Sequence, residues 1–151
     1  MKRRIPPLAV SLLLLSLSGC ALIPDLPPSP TPTPPLPASG YEPQPGDEKL
    51  KRDQVLLDLE YSSLEVRESL PPQVSVSLSG SLSDPCHQLR VVVAQPDAQR
   101  QINLDVYSVY DPDMMCIMVI KAFEVTIPLG TYTGGHFTVF VNGQLIGDFD
   151  A

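Results

Sequence analysis

The chain has 151 residues, 18 of them proline, and a formal net charge of −7. Residues 1–19 hold three of the ten basic residues and no acidic one, so the remainder carries about ten net negative charges. This charge, with no basic cluster, argues against nucleic-acid binding and against electrostatic attachment to a membrane, and its simplest consequence is a soluble surface.

The first nineteen residues have the pattern of a secretory signal peptide. Lys2, Arg3 and Arg4 form a positive start, and residues 8–17 are an apolar run interrupted only by serine. A run of this length is too short to cross a bilayer comfortably as a helix. The pattern therefore predicts an export signal over residues 1–19 and not a transmembrane segment.

The end of this segment, Leu17-Ser18-Gly19-Cys20, resembles the lipobox of bacterial lipoproteins. Small side chains at Ser18 and Gly19 let a peptidase approach the backbone, and the Cys20 thiol can be alkylated by a lipid donor. The resemblance implies a mature chain that starts at lipidated Cys20 and is anchored outside the cytoplasm, in the outer membrane if the cell has one. The alternative is an ordinary signal peptide cut nearby, which leaves a free thiol.

Residues 20–48 are rich in proline, since ten of the eighteen prolines lie between Pro24 and Pro45. Proline fixes φ and lacks an N–H group, so neither a helix nor a sheet ladder forms easily here. We expect an extended tether that spans about 75 Å, at roughly 3.1 Å per residue. A docking ligand for a proline-reading module and a glycosylated stalk are the alternatives.

From residue 49 to 151 the apolar positions alternate with polar ones, which is the period of a half-buried strand. Turn signals such as Asp84-Pro85 and Gly134-Gly135 separate the runs. An all-β sandwich of about seven antiparallel strands is therefore predicted, with a first strand at residues 55–59 and a two-residue hairpin turn at Asn142-Gly143. The alternating apolar positions are Val74, Val76, Leu78, Ile102, Leu104, Val106, Phe123, Val125, Ile127, Leu129, Phe137, Val139 and Val141.

The two remaining cysteines, Cys86 and Cys116, are 30 residues apart. A disulfide is the default for two thiols in an exported chain, whereas redox cysteines usually lie close together as Cys-x-x-Cys. We therefore predict a structural disulfide between Cys86 and Cys116.

This domain resembles a group of small cell-envelope lipoprotein domains. The resemblance implies an immunoglobulin-like β-sandwich with a paired cysteine and no assigned activity. It covers most of the domain, and its motif is mainly turn and core chemistry. The matching residues are Gly80, Leu82, Asp84, Cys86, Cys116, Phe123, Ile127, Leu129, Tyr132, Val139, Asn142 and Gly143.

Evidence for catalysis or metal binding is weak in the sequence. The histidines His87 and His136 accompany no nucleophile turn and no His-Glu-x-x-His or clustered Cys/His pattern. The pairs Asp111 with Asp113 and Asp148 with Asp150 could hold calcium, but Asp-Pro is an ordinary turn starter. We expect a non-enzymatic protein with no cofactor, which carries a covalent lipid on Cys20.

Two groups of side chains are candidates for binding. The methionines around Cys116 could form a soft metal site or an adaptable surface, although core and edge filling is the favoured interpretation. The possible contacts with a protein or glycan partner are Tyr107, Tyr110, Asp111 and Asp113. We therefore expect a lipid-anchored binding module, or alternatively an inhibitor or accessory subunit of an exported enzyme that uses loop 111–115 or loop 131–136.

Overall fold

The computed structural model describes residues 39–151, which form a short 3₁₀ helix and eight strands. The signal peptide, Leu17, Ser18, Gly19, Cys20 and most of the predicted tether lie outside the described residues. The helix is Asp47–Lys49, and the strands are β1 (Lys51–Asp53), β2 (Leu56–Arg67), β3 (Gln73–Leu82), β4 (Gln88–Val93), β5 (Gln101–Tyr110), β6 (Lys121–Thr131), β7 (His136–Val141) and β8 (Gln144–Asp150).

The strands form two sheets, which confirms the all-β sandwich. In the smaller sheet β3 lies between β2 and β6. In the larger sheet one edge of β5 pairs with β4, the other edge pairs with β1 and then β7, and β7 pairs with β8. Among the described residues every pair is antiparallel except β5 with β7, which is parallel. The strand count is eight because a three-residue strand, β1, completes the edge of β5.

The predicted alternation matches the core. The apolar positions of β3, β5, β6 and β7 point into the space between the sheets and are buried, except Phe123, which is half-buried against the core. Tyr132, Phe137 and Phe149 stack at one end of this core with ring centroids 5.1–5.5 Å apart. Burial raises the pKa of Tyr132 to about 12, and its hydroxyl donates to the carbonyl of Leu129. These contacts make the register of the last hairpin specific.

A side chain completes the larger sheet where its backbone pairing is interrupted. Residues 105–107 of β5 lie between the parts of that edge paired with β7 and with β1. The Oδ1 atom of Asn142 accepts from the N–H of Val106 at 2.7 Å, and its Nδ2 atom donates to the Val106 carbonyl at 2.8 Å. Asn142 and Gly143 have φ values of 49° and 82°, as a type I′ hairpin turn requires. The side chain of the predicted turn therefore makes the pair of hydrogen bonds to Val106 that a neighbouring strand would otherwise make.

Residues 39–48 pack against the sandwich, whereas the sequence placed them in the extended tether. The carbonyl of Tyr41 accepts from the N–H of Val91 at 2.7 Å, on the open edge of β4. Tyr41 also packs against the core cluster. A proline-rich composition does not prevent this, because single residues between prolines can still pair with a strand edge.

Strand β4 contains a buried cation, which is why its apolar run lacks a clear alternation. Arg90 is buried, and its Nε and Nη2 atoms donate to the two carboxylate oxygens of Asp47 at 2.8 and 3.0 Å. Further donations go to the Leu89 carbonyl and to the side chain of Gln88. The Arg90 guanidinium holds the pKa of the Asp47 carboxyl below its usual value. This pair therefore fastens the N-terminal segment to the sheet.

We predict that the Asp47 carboxylate contributes stability that depends on pH. Because its pKa is lower folded than unfolded, this stabilisation is present above the unfolded value, near 3.8, and is lost as the pH falls through the folded value. Asp47→Asn should lower the urea midpoint of unfolding at pH 7. Its stability should also fall less steeply than that of the native chain as the pH is lowered. Urea unfolding between pH 2.5 and 7 measures both effects, with exposed Asp58→Asn as the control. If stability falls equally steeply with decreasing pH in Asp47→Asn and in the native chain, the contribution assigned to the Asp47 carboxylate is contradicted.

The amide of Asn142 gives a second prediction. Asn142→Gly keeps the positive φ but removes both hydrogen bonds to Val106, so the free energy of unfolding should fall by about 1–2 kcal/mol. Asn142→Asp keeps the acceptor but places a carboxylate oxygen against the Val106 carbonyl, so it should not recover the stability that Asn142→Gly loses. The control is Asn103→Ala, at an exposed position of β5, which should change stability by less than about 0.5 kcal/mol. Equal stabilities for Asn142→Gly and the control would refute the role of the amide.

Candidate functional site: an exposed apolar loop

The connection between β5 and β6 exposes an unbroken set of aliphatic side chains. We call residues 114–120 the apolar loop. Six of its seven side chains are large and apolar, with exposed fractions between 55% and 99%: Met114, Met115, Ile117, Met118, Val119 and Ile120. Soluble domains rarely leave so contiguous an apolar patch in water, and such patches mark surfaces that contact something else.

The seventh residue of the loop, Cys116, is bonded to Cys86 in the β3–β4 connection. The predicted disulfide is thereby confirmed, with the two Cα atoms 6.1 Å apart. Cys116 is half-buried while its neighbours on both sides are exposed. The bond therefore holds the middle of the apolar loop against the sandwich and leaves the six flanking side chains directed to the surface.

Two further contacts hold the start of this connection in place. The ring of Tyr110, the last residue of β5, stacks on buried His87 with centroids 4.6 Å apart. Asp111 then begins a turn, since its Oδ1 atom accepts from the N–H of Asp113 at 3.0 Å and its carbonyl from the N–H of Met114 at 3.2 Å. The Asp-Pro sequence thus acts as the turn starter that the sequence favoured over a calcium site.

An acidic residue organises the other side of the disulfide. The Oδ1 atom of Asp84 accepts from the N–H of Cys86 at 2.8 Å and lies 2.9 Å from Nδ1 of His87. His87, followed by the backbone N–H of Cys86, holds the pKa of the Asp84 carboxyl below its usual value. On the far side, Nε2 of His87 lies 3.4 Å from the carboxylate of Asp53. His87 therefore lies between two carboxylates and supports both Tyr110 and the cysteine turn.

The apolar surface extends beyond the loop itself. Ile120 and the exposed side chain of Leu56, at the start of β2, line one small groove of about 320 Å³. Because β2, β3 and β6 meet at this end of the smaller sheet, Leu56 and Ile120 form one edge of the sandwich. The site is thus an end of the domain, with the disulfide at its centre.

The four predicted partner contacts lie in different surroundings. Asp111 and Asp113 are exposed beside the apolar loop, whereas Tyr110 is half-buried against His87. Tyr107 is also half-buried, because the Arg52 guanidinium lies over its ring at 3.7 Å. Arg52 in turn contacts Asp105 at 2.6 Å, and these side chains line a separate open groove of about 850 Å³. The structure therefore does not unite the four residues in one patch.

The interpretation of the methionines as core and edge filling is wrong. Met114, Met115 and Met118 are exposed, and Met115 is 99% exposed. Sequence reasoning also missed Ile117, Val119 and Ile120 as surface residues, because it takes apolar residues to be buried by default. One signal was available: this run has neither the two-residue alternation that starts at β6 nor a helical period.

The second candidate loop, residues 131–136, lies closer to the sandwich. Tyr132 is buried, and Gly135 exchanges backbone hydrogen bonds with Ala151 at 2.8 and 2.9 Å. His136 is exposed between Asp150, at 3.0 Å from its Nδ1 atom, and Asp148, at 3.4 Å from Nε2. This segment therefore offers a polar sheet edge and not a projecting loop.

One group of potential metal ligands occurs among residues 39–151. The carboxylate of Asp84 lies within 4.8 Å of the sulfur atoms of Cys86 and Cys116. Both sulfurs are engaged in the disulfide, and Asp84 already caps the cysteine turn. The group therefore serves as the support of the loop in this structure. Over the same residues, no helix has the length and apolar character needed to cross a bilayer.

Fold and site together define a small all-β sandwich protein with a disulfide-held apolar loop. The family model of the ORF11 beta-sandwich domain matches residues 76–151, and the chain belongs to this family. The matched part contains both cysteines of the disulfide, Cys86 and Cys116, and the whole apolar loop.

The curated relatives are uncharacterised proteins of Herpetosiphon aurantiacus. The 10.2 kDa protein in the HgiCIIM 5′ region is 33% identical over 85 residues, which cover 56% of this chain and 89% of the relative. The 10.2 kDa protein in the HgiBIM 5′ region is 33% identical over 78 residues, 49% of this chain and 90% of the relative. No solved structure matches the chain. The comparisons thus establish a β-sandwich family and name no activity.

We predict that the disulfide contributes strongly to stability. Cross-linking residues 30 positions apart removes about 3–4 kcal/mol of unfolded-state entropy on the chain-entropy model. The variant Cys86→Ala with Cys116→Ala should lose about this amount in urea unfolding. A reducing agent should destabilise the native chain equally and leave the double variant unchanged. If the unfolding curve of the native chain does not change when reducing agent is added, the prediction is contradicted.

Proposed function

We propose that this protein is a lipid-anchored, non-enzymatic binding module of the bacterial cell envelope, and that it binds through the apolar loop. The single observation that carries the proposal is the exposure of six neighbouring aliphatic side chains around a disulfide. Leaving such a surface in water is unfavourable, by about 25 cal/mol per Å² of apolar area. Contact with an apolar surface removes that cost.

The sequence supports the location of this module. Lipidation of Cys20 follows from the resemblance of Leu17-Ser18-Gly19-Cys20 to a lipobox, and an oxidised cysteine pair is typical of extracytoplasmic proteins. The anchor requires two or three acyl chains to be stable, as lipoproteins have, since one chain binds a membrane only marginally. The domain is then held outside the cytoplasmic compartment by residues 20–38.

The chemistry of the loop favours an apolar partner over a glycan. Aromatic rings with an open face and polar side chains are the usual contacts for sugars, whereas this loop has neither. The tyrosines considered for that role, Tyr107 and Tyr110, are covered by Arg52 and His87. The negative charge of the chain further disfavours polyanions.

Inhibition of an exported enzyme is the second candidate. It is favoured by the same closed loop, because a disulfide that fixes a projecting segment lowers the entropy that binding must remove. Of the two loops considered for this role, residues 111–115 belong to the exposed connection, whereas loop 131–136 is held to the sandwich by buried Tyr132 and by the pairing of Gly135 with Ala151. Stoichiometric inhibition that depends on loop 111–115 would identify this function.

Methionine oxidation tests whether the loop is occupied in the cell. Three of the four methionines are in the apolar loop, and the fourth, Met1, belongs to the predicted signal peptide. Peroxide converts exposed methionine to its sulfoxide. We expect oxidation of Met115 and Met118 to be several times slower in native membranes than in soluble residues 21–151, exported behind an ordinary cleavable signal peptide.

Two controls make this comparison decisive. The free peptide carrying residues 111–120 gives the intrinsic oxidation rate, and soluble residues 21–151 should approach it because the loop is exposed. Cell fractionation of the same samples reports the anchor, since residues 21–151, which lack Cys20, should leave the membrane fraction. Equal oxidation rates in membranes and in solution would overturn the binding surface, and membrane retention of residues 21–151 would overturn the anchor.

A further inference from the structure

The apolar loop has a composition that separates two kinds of apolar partner. Its exposed side chains are methionine, isoleucine and valine, and none of residues 114–120 is aromatic or charged. Energetic centres of protein interfaces are enriched in tryptophan, tyrosine and arginine, which this surface lacks. Aliphatic side chains suit a fluid hydrocarbon surface, which imposes no fixed shape on its partner, and the unbranched methionines adapt to it most easily.

A hydrocarbon surface is also close to the loop if the proposed anchor exists. Eighteen residues lie between Cys20 and Ser39, the first residue that the structure describes. Whatever its conformation, a segment of this length reaches at most about 70 Å, so the domain stays within that distance of the bilayer that holds the lipid. Tethering raises the effective concentration of the loop at that surface to the order of millimolar, so even weak contacts suffice.

We propose that the apolar loop docks on the bilayer that holds the lipid anchor, so that the domain touches the membrane at two points. This inference rests on the proposed function and names the bilayer as the partner. Exposed Leu56 beside Ile120 widens the contact, and Lys121 follows the loop with an exposed side chain that can reach the headgroups.

Backbone chemistry limits how deeply the loop enters. Residues 114–120 form no helix or strand, and polar backbone groups left without partners are costly in hydrocarbon. The side chains therefore lie at the boundary of headgroups and acyl chains, about 5–10 Å deep. Asp111 and Asp113 flank the loop and are repelled by anionic headgroups, so docking on neutral lipid should exceed docking on anionic lipid.

The absence of tryptophan from the chain allows a direct test. Met115→Trp places a single fluorescent reporter in the loop of the full, lipidated protein, reconstituted by its anchor into phosphatidylcholine vesicles. The matched control is Leu70→Trp, because Leu70 is fully exposed like Met115 and lies in the β2–β3 connection at the opposite end of the smaller sheet. Both residues are exposed, so unfolding curves of both variants should match the native chain.

Docking predicts that the reporter at position 115 emits at shorter wavelength and loses about half its intensity to bromine-labelled acyl chains. The reporter at position 70 should instead be quenched by aqueous iodide. Iodide quenching at both positions would overturn the inference while leaving the anchor intact. Shielding from iodide without quenching by bromolipid would also overturn it, because the loop then contacts protein. If the protein purified from cells carries no lipid on Cys20 and does not insert into the vesicles, the anchor and the inference are overturned together.

Discussion

The bond between Cys86 and Cys116 determines what this domain presents to its surroundings. It joins the β3–β4 connection to the middle of the β5–β6 connection and so fixes the position of the apolar loop on the sandwich. The stacking of Tyr110 on His87, the turn at Asp111 and the cap from Asp84 all fix the same region. Covalent and polar contacts consequently keep the apolar loop in one place and leave its side chains exposed.

Such a surface has a cost that the rest of the chain offsets. Exposed aliphatic side chains promote association, whereas about ten net negative charges beyond residue 19 keep copies of the chain apart. The same charge makes anionic partners unfavourable and leaves apolar contact as the remaining attraction. Charge and fold are thus consistent with the proposed domain, which is polar over most of its surface and exposes apolar side chains at one end.

Much of the fold could be predicted, because strands with one buried face have a strict two-residue period. That period located the core of β3, β5, β6 and β7, and Asn142-Gly143 located the last turn. Strand β4 was not separately predicted, since Arg90 is buried within it and a lone arginine in a sequence gives no sign of Asp47 as its partner. Strands β1 and β7 share one edge of β5 through long-range pairing, which local sequence patterns do not encode.

The candidate site was predicted only in part. The disulfide followed from cysteine spacing and compartment, but the three methionines of the apolar loop were interpreted as core and edge filling. Hydrophobicity alone does not distinguish a core segment from an exposed adhesive one, because both are stable only once their apolar surface is covered. The distinction depends on geometry, namely that Cys116 is tied to the surface turn at Cys86.

The most direct test of the account is photo-crosslinking from the loop in living cells. A diazirine analogue of methionine, incorporated throughout the chain, would leave reactive groups only at Met114, Met115 and Met118 once the predicted signal peptide is removed. The chain with all three changed to leucine supplies the background. The account predicts light-dependent adducts on residues 114–118 whose mass is that of membrane lipid. A loop that reacts with water alone, at the rate of the free peptide, would contradict the claim that it is a binding surface.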